Sequence, residues 1–144
     1  MSNLAWVAFL TAAAIGAPAR YLIDELVVTR SLRRKIARRS LRRKVASDST
    51  DAAFPWGTFV VNVSGSFVLG AITGLGIYHG LGTTARTVLG TGGMGAYTTF
   101  STFTFETVRL VEEGAVDAAL RNVALSFVVC LAAASAGLAL TALL

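Results

Sequence analysis

Residues 90–106 read GTGGMGAYTTFSTFTFE, a glycine-rich run followed by alternating hydroxyl and phenylalanine residues. The run lies in the third of four apolar stretches, yet its glycines disfavour a regular helix, since each costs about 0.8–1.0 kcal/mol relative to alanine. Glycines clustered at membrane depth favour a broken helix, and the carbonyl oxygens freed there are useful where they line a cavity or bind an ion. The stretch therefore predicts an interrupted third helix with ligands suited to a small, hard cation.

The composition of the 144-residue chain is typical of an integral membrane protein. It is 54% hydrophobic and 15% charged, whereas soluble domains carry roughly 25% charged residues. The N-terminus lacks a positive region and a small-residue cleavage site, so the first apolar stretch is expected to stay in the mature protein. One cysteine, Cys130, and one histidine, His79, match no metal or disulfide pattern.

Four apolar stretches are long enough to cross the hydrocarbon core, for which about 20 residues are needed. We predict helical spans over about residues 4–28, 56–78, 87–111 and 118–144, in a single membrane domain. The third is the least hydrophobic, and hydropathy by itself does not identify it. The short acidic link at 112–117 implies that the third and fourth helices are antiparallel neighbours. The sequence thus predicts an all-α, multi-pass protein of the cell membrane.

A basic insert, residues 29–55, separates the first two predicted spans. Its unit SLRRK occurs at residues 31–35 and again at residues 40–44. The insert fits either an amphipathic helix on anionic lipid headgroups or a solvated loop. Charge also allows nucleic-acid binding, but a tethered segment without interleaved aromatic residues is weak support for it, and no nucleic-acid partner is expected.

The basic residues predict the orientation of the chain in the membrane. With four spans, the first and third links share one side, which holds twelve of the 13 lysines and arginines: Arg20, the nine between Arg30 and Lys44, Arg109 and Arg121. The opposite side holds Arg86. The positive-inside rule then places the basic side in the cytoplasm and both termini outside.

Polar residues inside a span are expensive and are therefore candidates for function. Asn62 lies in the middle of the second span, where its amide needs partners for two N–H donors and one acceptor. As an interhelical contact, it would contribute roughly 0.6–2 kcal/mol per hydrogen bond. Gly70 and Gly74 form a GxxxG motif, interpreted as a close-packing site. The fourth span carries a stripe interpreted as a packing seam: Asn122, Ser126 and Cys130.

Phe100 and Phe103 are three residues apart, which places both rings on one face of a helix. Because ring edges carry positive charge, they can stabilise an anion without a fixed cation; two core aromatics would give the same spacing. Ser101 and Thr102 on the same helix are candidate hydroxyl donors, although such hydroxyls often bond to the preceding turn. Glu106, one turn beyond Phe103, needs a partner if it is buried.

Three segments, in matching order and spacing, resemble the Fluc (CrcB) family of fluoride ion channels. They are GAPARY at residues 16–21, GTFVVNVSGSFVLG at residues 57–70 and GGMGAYTTFSTFTFE at residues 92–106. The TTFSTF core is highly specific, and the resemblance covers nearly the whole chain except the basic insert. It implies a passive, fluoride-selective channel that exports cytoplasmic fluoride and gives fluoride resistance.

The resemblance also implies an architecture and a set of site residues. Members form antiparallel, dual-topology-type dimers of four-helix subunits with two pores along the interface. A structural sodium ion at the dimer axis is held by backbone carbonyls that match Gly95 and Thr98. The positions that match pore residues of the family are Asn62, Phe100, Phe103, Ser101, Thr102, Ser126 and, near a vestibule, Arg20.

Two features depart from the family pattern. Many relatives have a tyrosine four residues before the fourth-helix serine, where this chain has Asn122. Relatives that insert in both orientations have little lysine and arginine bias, whereas the strong bias here predicts one fixed orientation. The dimer partner is then either a second copy or, as the bias favours, a homologous subunit of opposite orientation.

Two other functions suit a four-span protein. A small drug/proton exporter needs a membrane-embedded carboxylate in the first span, but residues 4–22 contain none and Glu25 lies too near the end. A non-transporting adaptor with a lipid-binding basic loop predicts that Asn62, Phe100 and Phe103 are dispensable. No constellation of histidine, cysteine and carboxylate residues points to an enzyme.

Overall fold

The computed structural model describes residues 2–41 and 54–144, with side chains described for residues 2–30 and 54–144. These residues form helices joined by short links, and no strand occurs among them. The all-helical prediction is therefore confirmed for the described part. In chain order the elements are α1 (Asn3–Leu41), α2 (Trp56–Tyr78), α3 (Thr83–Arg86), a π-helix (Thr87–Met94), α4 (Gly95–Tyr97), α5 (Phe100–Glu112) and α6 (Val116–Ala142).

Three helical stretches of the described chain are long and apolar enough to cross a bilayer: Asn3–Arg30, Trp56–Tyr78 and Val116–Ala142. They match the predicted first, second and fourth spans to within a few residues and are the helices of a multi-pass membrane protein. The predicted third span, residues 87–111, is divided between the π-helix, α4 and α5. Each piece is shorter than a bilayer requires, so a crossing by this region stays a prediction.

The first helix extends beyond the predicted end at Val28. α1 continues to Leu41, so that residues 29–41 of the predicted insert are helical rather than a loop. The reason lies in composition, because these residues are rich in leucine, arginine and lysine and contain no glycine or proline, the residues that disfavour helix. The remaining part of the insert, residues 42–53, lies outside the described residues.

The closest helix pair is α2 with α6, which makes the most extensive contact in the described fold. Glycines permit it: a Cβ atom added to Gly70 would collide with the backbone of Ala134, and one added to Gly137 would collide with the carbonyl of Phe67. A Cβ atom added to Gly74 would collide with the hydroxyl of Thr141, also on α6. The interpretation of the GxxxG motif as a packing site is confirmed.

The segment that holds the glycine run packs against α1. A Cβ atom on Gly16 would collide with the carbonyl of Gly93, and one on Gly92 would lie 3.0 Å from the carbonyl oxygen of Phe9. The glycines therefore let the π-helix approach the first helix, and this contact places the following residues against α2.

The helical path is interrupted after the glycine run. Thr98 (φ −77°, ψ 163°) and Thr99 (φ −146°, ψ 119°) have extended backbones between the end of α4 and the start of α5. The glycines themselves lie in the π-helix and at the start of α4. The interruption thus begins three residues after Gly95, at residues that are not glycine.

Candidate functional site

Asn62 on α2 holds the extended backbone of Thr99. The Asn62 Nδ2 atom donates to the carbonyl of Thr99 (2.9 Å), and the N–H of Thr99 donates to Asn62 Oδ1 (2.8 Å). The sequence called for three partners, and the structure gives two, one for the acceptor and one for a donor. One N–H group of the amide remains for a further partner. Both partners are backbone groups of the interruption between α4 and α5.

The side chain of Thr99 begins the next helix. Its Oγ1 accepts from the N–H of Thr102 (3.2 Å) and is paired with the hydroxyls of Thr102 (2.9 Å) and Ser101 (3.3 Å). Threonine is a favoured residue at the position before a helix, where its oxygen accepts from a backbone N–H of the first turn. Thr99 was not predicted as a site residue from the sequence. The preference of threonine for the position before a helix could have identified it.

These bonds free the two carbonyls that were predicted as sodium ligands. In a continuous α-helix each carbonyl accepts from the N–H four residues later. The N–H of Thr99 goes to Asn62 instead, and that of Thr102 goes to Thr99 Oγ1. The carbonyls of Gly95 and Thr98 therefore lack these helical donors, and carbonyl oxygens are the ligand type that hard cations prefer.

A groove of about 400 Å³ runs beside the interruption, between α2, α5 and α6. The rings of Phe100 and Phe103 lie on one wall with centroids 5.9 Å apart and planes inclined by 42°. The ring of Phe100 projects outward and is 78% exposed in the single chain. The predicted residues that line the groove are Asn62, Phe100, Phe103 and Ser126, together with Thr98.

A smaller, polar pocket of about 200 Å³ lies on the other side of Thr99, between α1, α2 and α5. Arg20 and Thr102 line it, so these two predicted residues are not in the groove. Two polar residues that the sequence did not single out, Asp24 and Thr58, line it as well. Thr99 contributes to both cavities.

Two predicted residues lie away from both cavities. Ser101 is exposed and lines neither one, although its hydroxyl reaches Thr99. Gly95 is also exposed and lies at the start of α4. The structure therefore separates the predicted site residues into those of the groove, those of the smaller pocket and those of a backbone site. The ion-binding roles of these residues stay predictions.

Glu106 lies one turn beyond Phe103 and is half-buried. Its polar neighbours are the side chains of Thr58, Asp24 and Arg109, and its Oε2 atom has no hydrogen-bond partner among the described residues. The carboxyl group thus extends the polar surroundings of the smaller pocket towards the end of α5.

A family model described as "CrcB-like protein, Camphor Resistance (CrcB)" matches residues 7–138, which include the groove, the smaller pocket and the interruption between them. The chain belongs to the CrcB family. The resemblance seen in three segments of the sequence is thereby confirmed over most of the chain. This CrcB protein is accordingly a multi-pass membrane protein, as its three long apolar helices indicate.

Several proteins similar to this CrcB chain carry the name Fluoride-specific ion channel FluC. FluC 1 of Streptomyces avermitilis is 39% identical over 132 residues, covering 92% of this chain and 91% of that protein. FluC 1 of Symbiobacterium thermophilum is 39% identical over 138 residues, covering 95% and 97%. FluC 2 of Mycobacterium tuberculosis is 38% identical over 132 residues, covering 92% and 86%.

Proposed function

We propose that this CrcB-family chain is a subunit of a fluoride-selective, passive anion channel that exports cytoplasmic fluoride. The observation that carries the proposal is the groove in which Asn62, Phe100, Phe103 and Ser126 meet. The names of the similar proteins support the choice of anion. Together they favour conduction of a small anion over the exporter and adaptor functions.

The groove offers what a strongly hydrated anion needs in place of water. Asn62 keeps one amide N–H after bonding to Thr99, and Ser126 brings a hydroxyl. The edges of the two phenylalanine rings add positive partial charge without a fixed cation that would hold the ion too tightly. Neutral hydrogen fluoride enters cells and ionises inside, so a passive pore suffices, since the membrane potential favours anion exit by about 2.3 kcal/mol per 100 mV.

Arg20 in the smaller pocket would attract anions towards the groove. Its guanidinium shares the pocket with the hydroxyls of Thr58 and Thr102, and Thr99 borders both cavities. We infer that the pocket is a vestibule and that ions pass from it to the aromatic groove. The region 87–111 would then cross the membrane as the third of four spans, with the interruption at Thr98 and Thr99 at mid-depth.

The open side of the groove implies a second subunit. Phe100 projects from the single chain, where it would otherwise face lipid and leave the polar groups of the groove next to hydrocarbon. An antiparallel dimer would cover that side and form two pores. Twelve of the 13 basic residues lie on one predicted side. The positive-inside rule therefore favours a homologous subunit of opposite orientation as the partner, with a second copy of this chain as the alternative. Anionic lipids would contact the basic segment.

A structural sodium ion at the dimer interface is the proposed cofactor. The carbonyls of Gly95 and Thr98 would hold it, and they fit because their helical N–H donors are bonded elsewhere. When bound, the ion would supply positive charge beside the interruption.

Fluoride efflux from liposomes that contain the purified chain tests the proposed function, with chloride efflux and the Phe100→Ile variant as controls. We expect rapid fluoride efflux, little chloride efflux and loss of the fluoride signal in the variant. Efflux from the chain by itself would also show that one type of subunit suffices. Absence of efflux both from the chain and from the chain reconstituted with a homologous subunit would overturn the proposal.

A further inference from the structure

Asn122 links α6 to the aromatic wall of the groove through two successive, part-buried hydrogen bonds. The side chain of Asn122 is 1% exposed. Its Nδ2 atom donates to Thr107 Oγ1 (2.9 Å), and that hydroxyl donates to the carbonyl of Phe103 (2.7 Å). Asn122 itself does not line the groove, so it influences the groove through α5.

The contacts between α5 and α6 form three levels that follow one another at intervals of one helical turn. An apolar level lies next to the link between the helices, the hydrogen-bonded pair comes next, and the groove residues form the third. Leu110 packs with Ala118 and Ala119 at the first level, and Thr107 bonds to Asn122 at the second. At the third level Phe103 and Ser126 line the same groove. The polar pair is thus the middle contact of an antiparallel register.

The polar pair is the contact that distinguishes this register from a shifted one. Small apolar residues such as Ala118 and Ala119 can pack in several registers with similar energy, because dispersion contacts have no preferred direction. A hydrogen bond is directional, and the buried amide of Asn122 would lose its partner if α6 moved by one turn. Neither lipid nor apolar side chains replace that partner.

We propose that Asn122 is a positioning residue of the pore. By bonding to Thr107, it fixes the register of α5 against α6 and therefore holds the ring of Phe103 opposite the hydroxyl of Ser126. In this chain the position occupied by tyrosine in many relatives acts on helix register and does not contact the ion. The inference rests on the proposed function, since its consequence is a rate of fluoride conduction.

Four variants test the inference in vesicles that contain the conducting assembly. Asn122→Leu and Thr107→Val each remove one partner, and the double variant replaces both partners by apolar side chains. Thr107→Ser keeps the hydroxyl and serves as the conservative control. Two quantities are measured for each: fluoride efflux per reconstituted protein, and the midpoint of thermal unfolding in detergent.

In the double variant, thermal stability is expected to recover while fluoride conduction does not. Each single variant should slow fluoride efflux roughly tenfold and unfold at a lower temperature, because it leaves one buried polar group without a partner. The double variant should regain most of the lost thermal stability, since replacing both partners by apolar groups is nearly neutral. Its efflux should stay as slow as that of the single variants, while Thr107→Ser retains most of the rate.

Three results would contradict the inference. If the double variant recovers efflux together with stability, the Asn122–Thr107 pair contributes only to stability and does not position the pore. Normal efflux from folded Asn122→Leu would have the same meaning, and additive losses in the double variant would show that the two residues act separately. Absence of fluoride efflux from the unmodified assembly is a different result, because it overturns the proposed function and with it the pore that Asn122 would position.

Discussion

The side-chain amide of Asn62 and the peptide groups of Thr99 form a reciprocal pair, with N···O distances of 2.9 and 2.8 Å. A residue of α2 thus satisfies the backbone at the point where the helical hydrogen bonds of the third segment stop. This matters inside a membrane, because no water is available there for unpaired N–H and C=O groups. The interruption is therefore held by hydrogen bonds from a neighbouring helix.

Asn62→Leu should impair both conduction and stability. The variant leaves the N–H and the carbonyl of Thr99 without partners, and each unsatisfied buried group costs about 1–3 kcal/mol. We expect a lower unfolding temperature in detergent and fluoride efflux that is slower by roughly tenfold or more. Thr73→Val is the matched control on α2, since the Thr73 hydroxyl bonds within its own helix. Unchanged efflux from Asn62→Leu would argue against the role given to this pair.

Thr99→Val should weaken the start of α5 and alter the response to sodium. Loss of the helix cap is expected to lower stability by about 1 kcal/mol. The N–H of Thr102, released from Thr99 Oγ1, becomes free to bond to the carbonyl of Thr98, a proposed sodium ligand. The measurement is thermal stability with sodium and with a large organic cation. We expect wild type and Thr99→Ser to gain stability with sodium and Thr99→Val to gain less; equal gains in all three would contradict the assignment of Thr98.

Two phenylalanines of α5 allow a matched comparison of a position that lines the groove and one that does not. Phe103 lines the groove, whereas Phe105 does not and is 69% exposed. Phe103→Ile removes the positive ring edge and should reduce fluoride efflux by roughly tenfold, the effect of losing about 1.4 kcal/mol. Phe105→Ile should leave the rate within about twofold, an energy below 0.5 kcal/mol. Similar losses in both variants would indicate a general effect on α5 rather than a pore contact.

Gly70→Ala should destabilise the packing of α2 against α6. The added methyl group meets backbone of Ala134, which cannot rotate away as a side chain can, so overpacking should cost about 1–3 kcal/mol. Gly82→Ala is the control, because a Cβ atom there has nothing within 4 Å and the φ angle of −59° suits any residue. Unfolding in detergent measures both. The prediction fails if the two variants unfold at the same temperature.

Neutralising the basic residues between Arg30 and Lys44 should randomise the orientation of the chain. Lysine and arginine in short cytoplasmic links set membrane orientation, and nine of the 13 lie in this segment. A C-terminal tag on the unmodified chain should be accessible from outside the cell in all molecules. With glutamine at the nine positions, a fraction of the tags should become inaccessible. A tag found inside in the unmodified chain would contradict the predicted orientation.

The long apolar helices were predictable because they depend on local composition. The second span was predicted over residues 56–78, and α2 occupies Trp56–Tyr78. α1 continues past the predicted end of the first span to Leu41, because arginine and leucine continue to favour helix. Charge marks where a helix leaves the bilayer, and it does not mark where the helix stops.

Four residues predicted for the pore line one groove in the structure, but the arrangement of the whole set was less predictable. Glycines pointed to an interruption, but they serve close contact between the π-helix and α1, and the interruption follows at Thr98. Its position depends on Asn62, which is far away in the sequence. Likewise, the separation of Arg20 from Phe100 into different cavities depends on how α1 and α5 are placed around Thr99, which no local pattern records.

The glycines of α2 face different neighbours around its circumference. A Cβ atom at each would meet Asp24 from Gly57, Thr98 from Gly65, Ala134 from Gly70, Thr141 from Gly74 and Arg86 from Gly76. A membrane helix usually absorbs a bulkier side chain by turning that face towards lipid. Here a rotation of α2 that relieves one glycine would press another against a different element. Natural variation in α2 should therefore be confined to side chains that are exposed in the single chain, such as Phe67 and Val68, and the helix should change more slowly in evolution than the segments around it.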